Sequence, residues 1–386
     1  MAGPRRVASG DSKMPATDLQ SSTFTDWLDR HSGRLFVLPA SLLILAFSIF
    51  PLIISAWLAV SRFKMGVGGY ELNYIGWLNF KKLFLGSEQY HLLGTFVPKP
   101  FLGWIIVVVA FGLIGRGIWS FASSGRVTVL GGIGRVISFG FFGSLAWLFA
   151  STIGVKGQIG SLSTTIFYVF LGVAIQFVIG TGLAFLCSQK IRGRSFFRVV
   201  FFIPLMVTPV GIAYTFRMMA DMTMGPISPL WHWLGLGEFS WATNAWSARL
   251  VVALGDSWQW IPFMFMVMLA AFESQPKDEM EAAELDGASA FQMFRDITWP
   301  SVAPVAATIV LIRMIEAFKI VDLPNVLTNG GPGIASESLT LHAFMQWRAL
   351  DLGASAAISY VLLFTSTIIC VSFFNFVVDP ARRARQ

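Results

Sequence analysis

The chain has 386 residues, of which 55% are apolar and only 13% charged, with a mean hydropathy of +0.67. Soluble domains carry about 25% charge, so a water-facing surface over this length is excluded and the chain is an integral membrane protein. Its net charge of +7 then reads as the positive charge that holds loops on the cytoplasmic side rather than as a nucleic-acid footprint. Cys187 and Cys370 both fall in apolar runs and indicate no disulfide framework.

A helix needs about 20 apolar residues to cross the hydrocarbon core. After a polar, basic tail over 1–34, the first charge-free run gives a span over 35–61, too long for a signal-peptide core. An external segment over 62–100 contains Tyr74–Phe84, whose apolar spacing with Lys81 and Lys82 predicts a short amphipathic helix on the membrane surface, or a docking surface for a partner. Next comes a hairpin of two spans over 101–156, near Phe101–Arg116 and Val136–Val155. A core over 160–378 follows, with spans near Thr165–Cys187, Phe196–Arg217, Leu250–Phe272, Val302–Ile320 and Leu352–Val378, and a tail over 379–386. The predicted fold class is all-α, polytopic, with about eight transmembrane helices.

Charge sets the orientation. With both termini cytoplasmic, the inside receives Arg5, Arg6, Lys13, Arg30, Arg34, Arg116, Arg126, Arg135, Lys190, Arg192, Arg194, Arg198, Lys277, Arg295, Arg382, Arg383 and Arg385, which is 17 of 28 basic residues. The loop Met218–Ala248, placed outside, has none.

Several chemistries are missing from the sequence. None of the nine lysines precedes Ser or Thr, so the phosphate-cradling GxxxxGK[ST] loop is absent. His31, His91, His232 and His342 stand far apart, no HExxH occurs, and no Cys or His spacing suggests a metal. The G-x-S-x-G nucleophile elbow is also missing. The chain therefore reads as non-catalytic, with no cofactor of its own.

The polar segment 273–300, ESQPKDEMEAAELDGASAFQMFRDITWP, predicts two short helices broken at Asp286-Gly287, the second over Ala288–Ile297 and ending before Pro300. Small residues at Ala282, Ala283 and Gly287 would let a partner's groove approach the backbone. This loop resembles the EAA motif of binding-protein-dependent ABC importer permeases: EAA, three residues, Gly, nine residues, then I-x-L-P. Glu281, Ala282, Ala283, Gly287, Ile297 and Pro300 match at that spacing, and Trp299 replaces the usual Leu. Phe318–Pro332, containing Asn329, Gly330, Gly331 and Pro332, is similar to the L-T-x-G-G-P segment of carbohydrate permeases of the maltose and glycerol-3-phosphate type. Ile75–Phe80 and Phe196–Pro204 resemble the pieces after their first span and at the start of their third. Simple family members have six spans, so 94–156 is an added hairpin, for which lipid-facing or subunit packing is the plain reading.

The resemblance implies a type I ABC importer permease in a bacterial inner membrane, forming half of the pathway for a sugar or polyol. It also implies a second related permease, an ATPase dimer that binds ATP and Mg and docks on the EAA loop, an external solute-binding protein, and no nucleic acid. An ion-coupled secondary transporter is the rival reading, and a membrane enzyme on lipid-linked sugars a further one.

Two charged groups lie at membrane depth. Arg313, Glu316, Lys319 and Asp322 recur every three residues. At 1.5 Å per residue Arg313 sits about 20 Å beyond Pro300 and Glu316 about 24 Å, both in the outer half of the membrane. They read equally as a polar stripe along the pathway or as an i,i+3 ion pair. Asp256, Trp258, Gln259 and Trp260 form a polar–aromatic cluster that suits a sugar, or anchors a helix at the interface.

Overall fold

In the computed structural model, the described residues are 32–33, 36–66, 69–123, 129–153, 158–189, 193–235 and 241–378. Of the basic residues assigned to the inside, Arg5, Arg6, Lys13, Arg30, Arg34, Arg126, Lys190, Arg192, Arg382, Arg383 and Arg385 lie outside them, as does the tail 379–386. Contacts divide the chain after Trp57 into two units. In the first, α1 (Phe36–Ala59, which ends just inside the second unit) is an apolar, largely exposed helix, as suits a lipid-facing span.

The second unit opens with a feature absent from an all-α expectation. Strands β1 (Ser61–Gly66) and β2 (Gly69–Tyr74) pair antiparallel, Ser61 opposite Tyr74 and Gly66 opposite Gly69. The amphipathic helix expected over Tyr74–Phe84 is correspondingly shorter: α2 covers Leu78–Leu85. Buried Asn79 explains where it sits. Its amide Nδ2 donates to the carbonyls of Ala59 and Ser61 at 2.9 and 3.0 Å, tying α2 to the end of α1 and the start of β1. A short α3 (Gln89–Leu93) follows.

The added hairpin is α4 (Phe101–Ser123) and α5 (Val129–Thr152). It packs on the core through Ser372, whose hydroxyl donates to Ser138 at 2.7 Å, and through the stacked rings of Phe139 and Phe376. An apolar cleft of about 420 Å³ separates hairpin and core, lined by Ile106, Phe142, Phe149, Ile166 and Phe170 among others.

The core helices are α6 (Ser161–Ser188), α7 (Arg194–Met206), α8 (Pro209–Ala220), α9 (Ser228–Trp233), α10 (Ala245–Glu273), α11 (Lys277–Leu285), α12 (Ala290–Ala317), α13 (Leu339–Arg348) and α14 (Leu352–Val378). One expected span, Phe196–Arg217, is not straight: α7 and α8 meet at 98°. The cause is local. Pro209 holds Thr208 out of helical geometry, as proline does to its predecessor, and the Thr208 hydroxyl caps the restarted helix by accepting from the Gly211 amide.

The packing of its neighbours fits the bent pair to a single broken span. Phe185, near the end of α6, packs edge-on against Phe272 at the end of α10, while Phe167 near the start of α6 packs against Trp246 near the start of α10. Thus α6 and α10 run parallel, and whatever joins them must make one return crossing. Arg198 on α7 pairs with Glu273 at one end, and Arg217 on α8 donates to the Val326 carbonyl at the other. Among the described residues seven helices qualify as spans singly, or eight with the bent pair taken as one span.

The parallel pair is held by close backbone approach. A Cβ on Gly180 would sit 2.6 Å from Met264 Cβ and 3.0 Å from the Ile261 carbonyl oxygen, whereas one on Gly182 would meet nothing within 4 Å. Small residues serve helix packing in membranes this way. Gly180→Ala should therefore destabilise the chain by about 1–3 kcal/mol through overpacking. Gly182→Ala should be neutral or stabilising by up to about 1 kcal/mol from helix propensity. Thermal unfolding of the two variants in detergent compares them, and equal midpoints would contradict the packing argument.

Candidate functional site

The polar loop between α10 and α12 is built as a rigid corner. Asp278 and Glu279 occupy the first turn of α11, where the helix dipole favours acids. Its other end closes with the Ala288 amide on the Ala283 carbonyl (3.0 Å) and the Gly287 amide on the Glu284 carbonyl (3.1 Å). That double bond pattern is the Schellman cap, and it requires a left-handed residue, here Gly287 at φ +77°. Gly287 is thus demanded by the backbone of its own chain, a reason separate from the partner approach read from the sequence. A Cβ there would touch nothing within 4 Å.

Glu281, Ala282 and Asp286 are exposed, and Ala283 and Ile297 are half-buried. Leu285 and Phe291 are large apolar residues left 89% and 70% exposed on the same loop. Ser289 and Gln292 then form a reciprocal capping box that starts α12. The helix expected over Ala288–Ile297 does not stop before Pro300 but continues to Ala317. A proline normally clashes with the carbonyl four residues back. The wider π-type turn at Phe294–Thr298 relieves that demand just before it. Gln275 donates to the Thr298 carbonyl at 3.1 Å and ties the two ends of the loop together. Phe294 packs against both Phe185 and Trp299, so the loop abuts an aromatic cluster joining α6, α10 and α12.

Further along these helices, near the end of α12, lies a buried polar triad. Arg313 on α12 is 1% exposed and Asp256 on α10 6%. The Arg313 guanidinium donates to Asp256 Oδ2 and, at 2.8 Å, to Gln176 Oε1 of α6, while Gln176 Nε2 donates to the same Asp256 oxygen at 2.9 Å. Arg313 also lies 4.5 Å over the Trp260 ring. Glu316 bonds Lys319 at 2.7 Å instead of Arg313. The i,i+3 ion pair offered by the sequence is thus Glu316 with Lys319 at the helix end, while the buried Arg313 guanidinium takes the buried Asp256 carboxylate. The helix ends at Ala317, so Lys319 and Asp322 lie beyond it, not along it. Gln259 is buried too, while Trp258 is exposed and packs on Phe216 of α8. Gln176 was not singled out in the sequence, since an amide in an apolar run gives no sign of what it faces.

At the opposite end from the polar loop, Asn329 and Gly330 turn with positive φ and the Gly331–Pro332 bond is cis. The segment after them is clamped: the Ala335 carbonyl accepts from Arg249 Nε (2.6 Å), and the Ser336 carbonyl from Tyr168 (2.9 Å). Two clefts flank this glycine-rich loop. One, of about 420 Å³, is lined by Arg217, Asp221, Trp241 and Asn329. The other, about 630 Å³, has Gln158, Asn244, Trp246, Arg249, Pro332 and Gly333. Amides of Met224 and Thr223 and the Thr223 hydroxyl hold the Asp221 carboxyl below the usual carboxylate range. His91 and His342, remote in sequence, stack nearby with centroids 3.8 Å apart. Burial pushes His342 down to about 3. Burial also opposes charge on His91, but the hydrogen bond and charge of Glu337 outweigh it and raise the group.

Residues 176–384 match the family model of the binding-protein-dependent transport system inner membrane component. The chain belongs to this family. A trehalose/maltose transport system permease protein, MalF, of Thermococcus litoralis is 32% identical over 57% of this chain and 75% of its own. The sn-glycerol-3-phosphate permease protein UgpA of Yersinia pestis is 29% identical over 58% and 76%. An arabinooligosaccharide permease protein, AraP, of Halalkalibacterium halodurans is 29% identical over 55% and 68%. In fold, the chain is similar to a bacterial ABC transporter for the acidic polysaccharide alginate: TM-score 0.61, 17% identity, covering 95% of this chain and 99% of that one. The ion-coupled transporter and lipid-linked sugar enzyme find no support among these relatives.

The triad predicts a specific coupling. Removing one partner of a buried pair costs about 3–5 kcal/mol. Asp256→Ala and Arg313→Met should each lower the unfolding midpoint sharply, and the double variant should lose much less than their sum. The Glu316–Lys319 pair, exposed at a helix end, should couple by less than about 1 kcal/mol. Additive losses at Asp256 and Arg313 would contradict the pairing.

Proposed function

We propose that this chain is the membrane-spanning permease subunit of an ATP-driven importer for a sugar, polyol or related carbohydrate. The corner formed by α11 and the start of α12 carries the reading. It is rigidly capped, resembles the EAA loop residue for residue at Glu281, Ala282, Ala283, Gly287, Ile297 and Pro300, and leaves Leu285 and Phe291 uncovered by the chain itself. Exposed apolar side chains of that size on a polar loop suit a protein partner. The partner chemistry is an ATPase dimer that binds ATP and Mg, with a second related permease across the pathway. The carbohydrate class follows the names of the relatives above and the chain's own glycine-rich loop.

Force applied at α11 reaches the membrane through short links. Gln275 to Thr298 binds the loop ends, Arg198 to Glu273 engages α7, and Phe185, Phe272 and Phe294 engage α6. Closure of the ATPase dimer would thus swing α6, α7, α10 and α12 as a body between two arrangements. Trp258, Glu316 and Asp322 are the solvent-reachable members of the proposed pathway. Asp256, Gln259 and Arg313 brace the wall behind them. The glycine-rich loop and its two clefts, with Asn329, Gly330, Gly331 and Pro332, offer the external solute-binding protein a polar seat.

Gly287 separates backbone demand from bulk. Asn tolerates positive φ and Val does not. In proteoliposomes holding the assembled transporter, Gly287→Asn should keep most of the ATP hydrolysis stimulated by loaded binding protein, whereas Gly287→Val should lose most of it. Equal activity of the two would remove the cap from the mechanism, and normal stimulation with Leu285→Asp and Phe291→Asp together would remove the loop itself.

Orientation has its own test. A cysteine at Asn329, in a chain with Cys187 and Cys370 replaced by Ala, should react with an impermeant maleimide added outside intact cells. Reaction only in inverted vesicles would reverse the assigned sides.

A further inference from the structure

The turn after β2 and α2 meets α13 at a group of polar side chains that neither the loop nor the triad uses. Glu88, at the N-cap of α3, places Oε2 3.5 Å from His91 Nδ1. His342 on α13 stacks on His91 with an interplanar angle of 20°. One donor atom from each of Glu88, His91 and His342 lies within 4.8 Å of the other two. The remaining ring nitrogens are already engaged. His91 Nε2 is 2.6 Å from Glu337 Oε2, and His342 Nδ1 is 3.1 Å from the Ser161 hydroxyl. What is left over is His342 Nε2, which has no hydrogen-bond partner although the residue is 0% exposed.

We propose that Glu88, His91 and His342 form a binding site for a divalent transition metal, Zn²⁺ by its donor set, with Glu337 and Ser161 orienting the two imidazoles. The site stands independently of the transport reading. Two imidazoles and a carboxylate are a three-ligand zinc set with one open position, and nitrogen donors disfavour Ca²⁺ and Mg²⁺. Metal-bound histidine characteristically gives its second nitrogen to a carboxylate or another fixed acceptor, the arrangement seen at His91 with Glu337. His342 Nε2, buried and without a hydrogen-bond partner, is the nitrogen left to bind the ion. Zinc–ligand distances of about 2.0–2.2 Å put the donors about 3.4 Å apart, so the group must contract. Glu88, on a partly exposed turn, supplies most of that travel, and the stacked rings tilt to direct their nitrogens at the ion. A metal there would join the segment that follows the first span to the helix after the glycine-rich loop, two parts of the chain about 250 residues apart in sequence.

The experiment uses the full chain, purified in detergent with an affinity tag free of histidine, stripped with EDTA and titrated with zinc chloride. One equivalent per chain should bind saturably and raise the unfolding midpoint. Glu88→Gln, on the partly exposed turn, should still fold, weaken binding at least about tenfold and abolish the zinc-induced rise. Glu337→Gln should weaken binding about 10- to 100-fold, the usual loss for an outer partner of a ligating histidine. His232→Gln, remote from the group, should bind like the parent. Absence of saturable zinc in the parent chain, or the same affinity in the parent, Glu88→Gln and His91→Gln, overturns the site and leaves a histidine pair whose orphan nitrogen is met by water.

Discussion

A charged group inside an apolar bundle must find its partner within the protein, and this constraint organises the centre of the molecule. Arg313 has no route to water at 1% exposure, so Asp256 and Gln176 must be brought to it, and their helices with them. Three spans distant in sequence are thereby fixed in rotation as well as position. Apolar packing alone would not do this, since lipid tails are as apolar as the helix faces they compete with. Close approach at Gly180 supplies the complementary steric condition, allowing α6 and α10 to run parallel at short range.

The two ends of the same helices are built from different materials. Towards the polar loop the contacts are aromatic, with Phe185, Phe272, Phe294 and Trp299 in edge and tilted pairs. At the far end they are hydrogen bonds that Tyr168, Arg249 and Ser338 donate to carbonyls of the glycine-rich segment and its neighbours, and one that the Thr165 hydroxyl accepts from the Leu339 amide. Aromatic contacts are non-directional enough to move as a body. Backbone hydrogen bonds are directional and hold an irregular segment whose own polar groups would otherwise go unpaired. The division suits a chain driven from one side and loaded from the other.

The added hairpin follows the same logic at lower density. Among the described residues its contacts with the core include a serine pair, a ring stack, the apolar side chains of Phe141, Phe142, Leu145 and Leu148, and an apolar cleft. Its far end also walls one of the polar clefts through Thr152 and Ile153. The insertion therefore touches both the flank of the core helices and the glycine-rich loop at the end opposite α11.

Composition and charge-free run length sufficed to identify a membrane protein of about eight spans, because backbone hydrogen bonding leaves an apolar run in lipid little choice but helix. The spacing of Glu281, Ala282, Ala283, Gly287, Ile297 and Pro300 likewise lies in the sequence, since a capped helical corner is a local structure whose determinants are a few residues apart. Other features needed the tertiary structure. That Arg313 would reach Asp256 instead of Glu316, that Gln176 would complete the pair, and that His91 would stack on His342 are contacts between segments 57 to 251 positions apart. Local propensity carries no information about them. The 98° bend at Thr208 and the continuous run of α12 through Pro300 lie between these cases. Proline marks both places in the sequence, but whether the chain breaks or widens its turn is decided by the neighbours that satisfy the freed backbone groups.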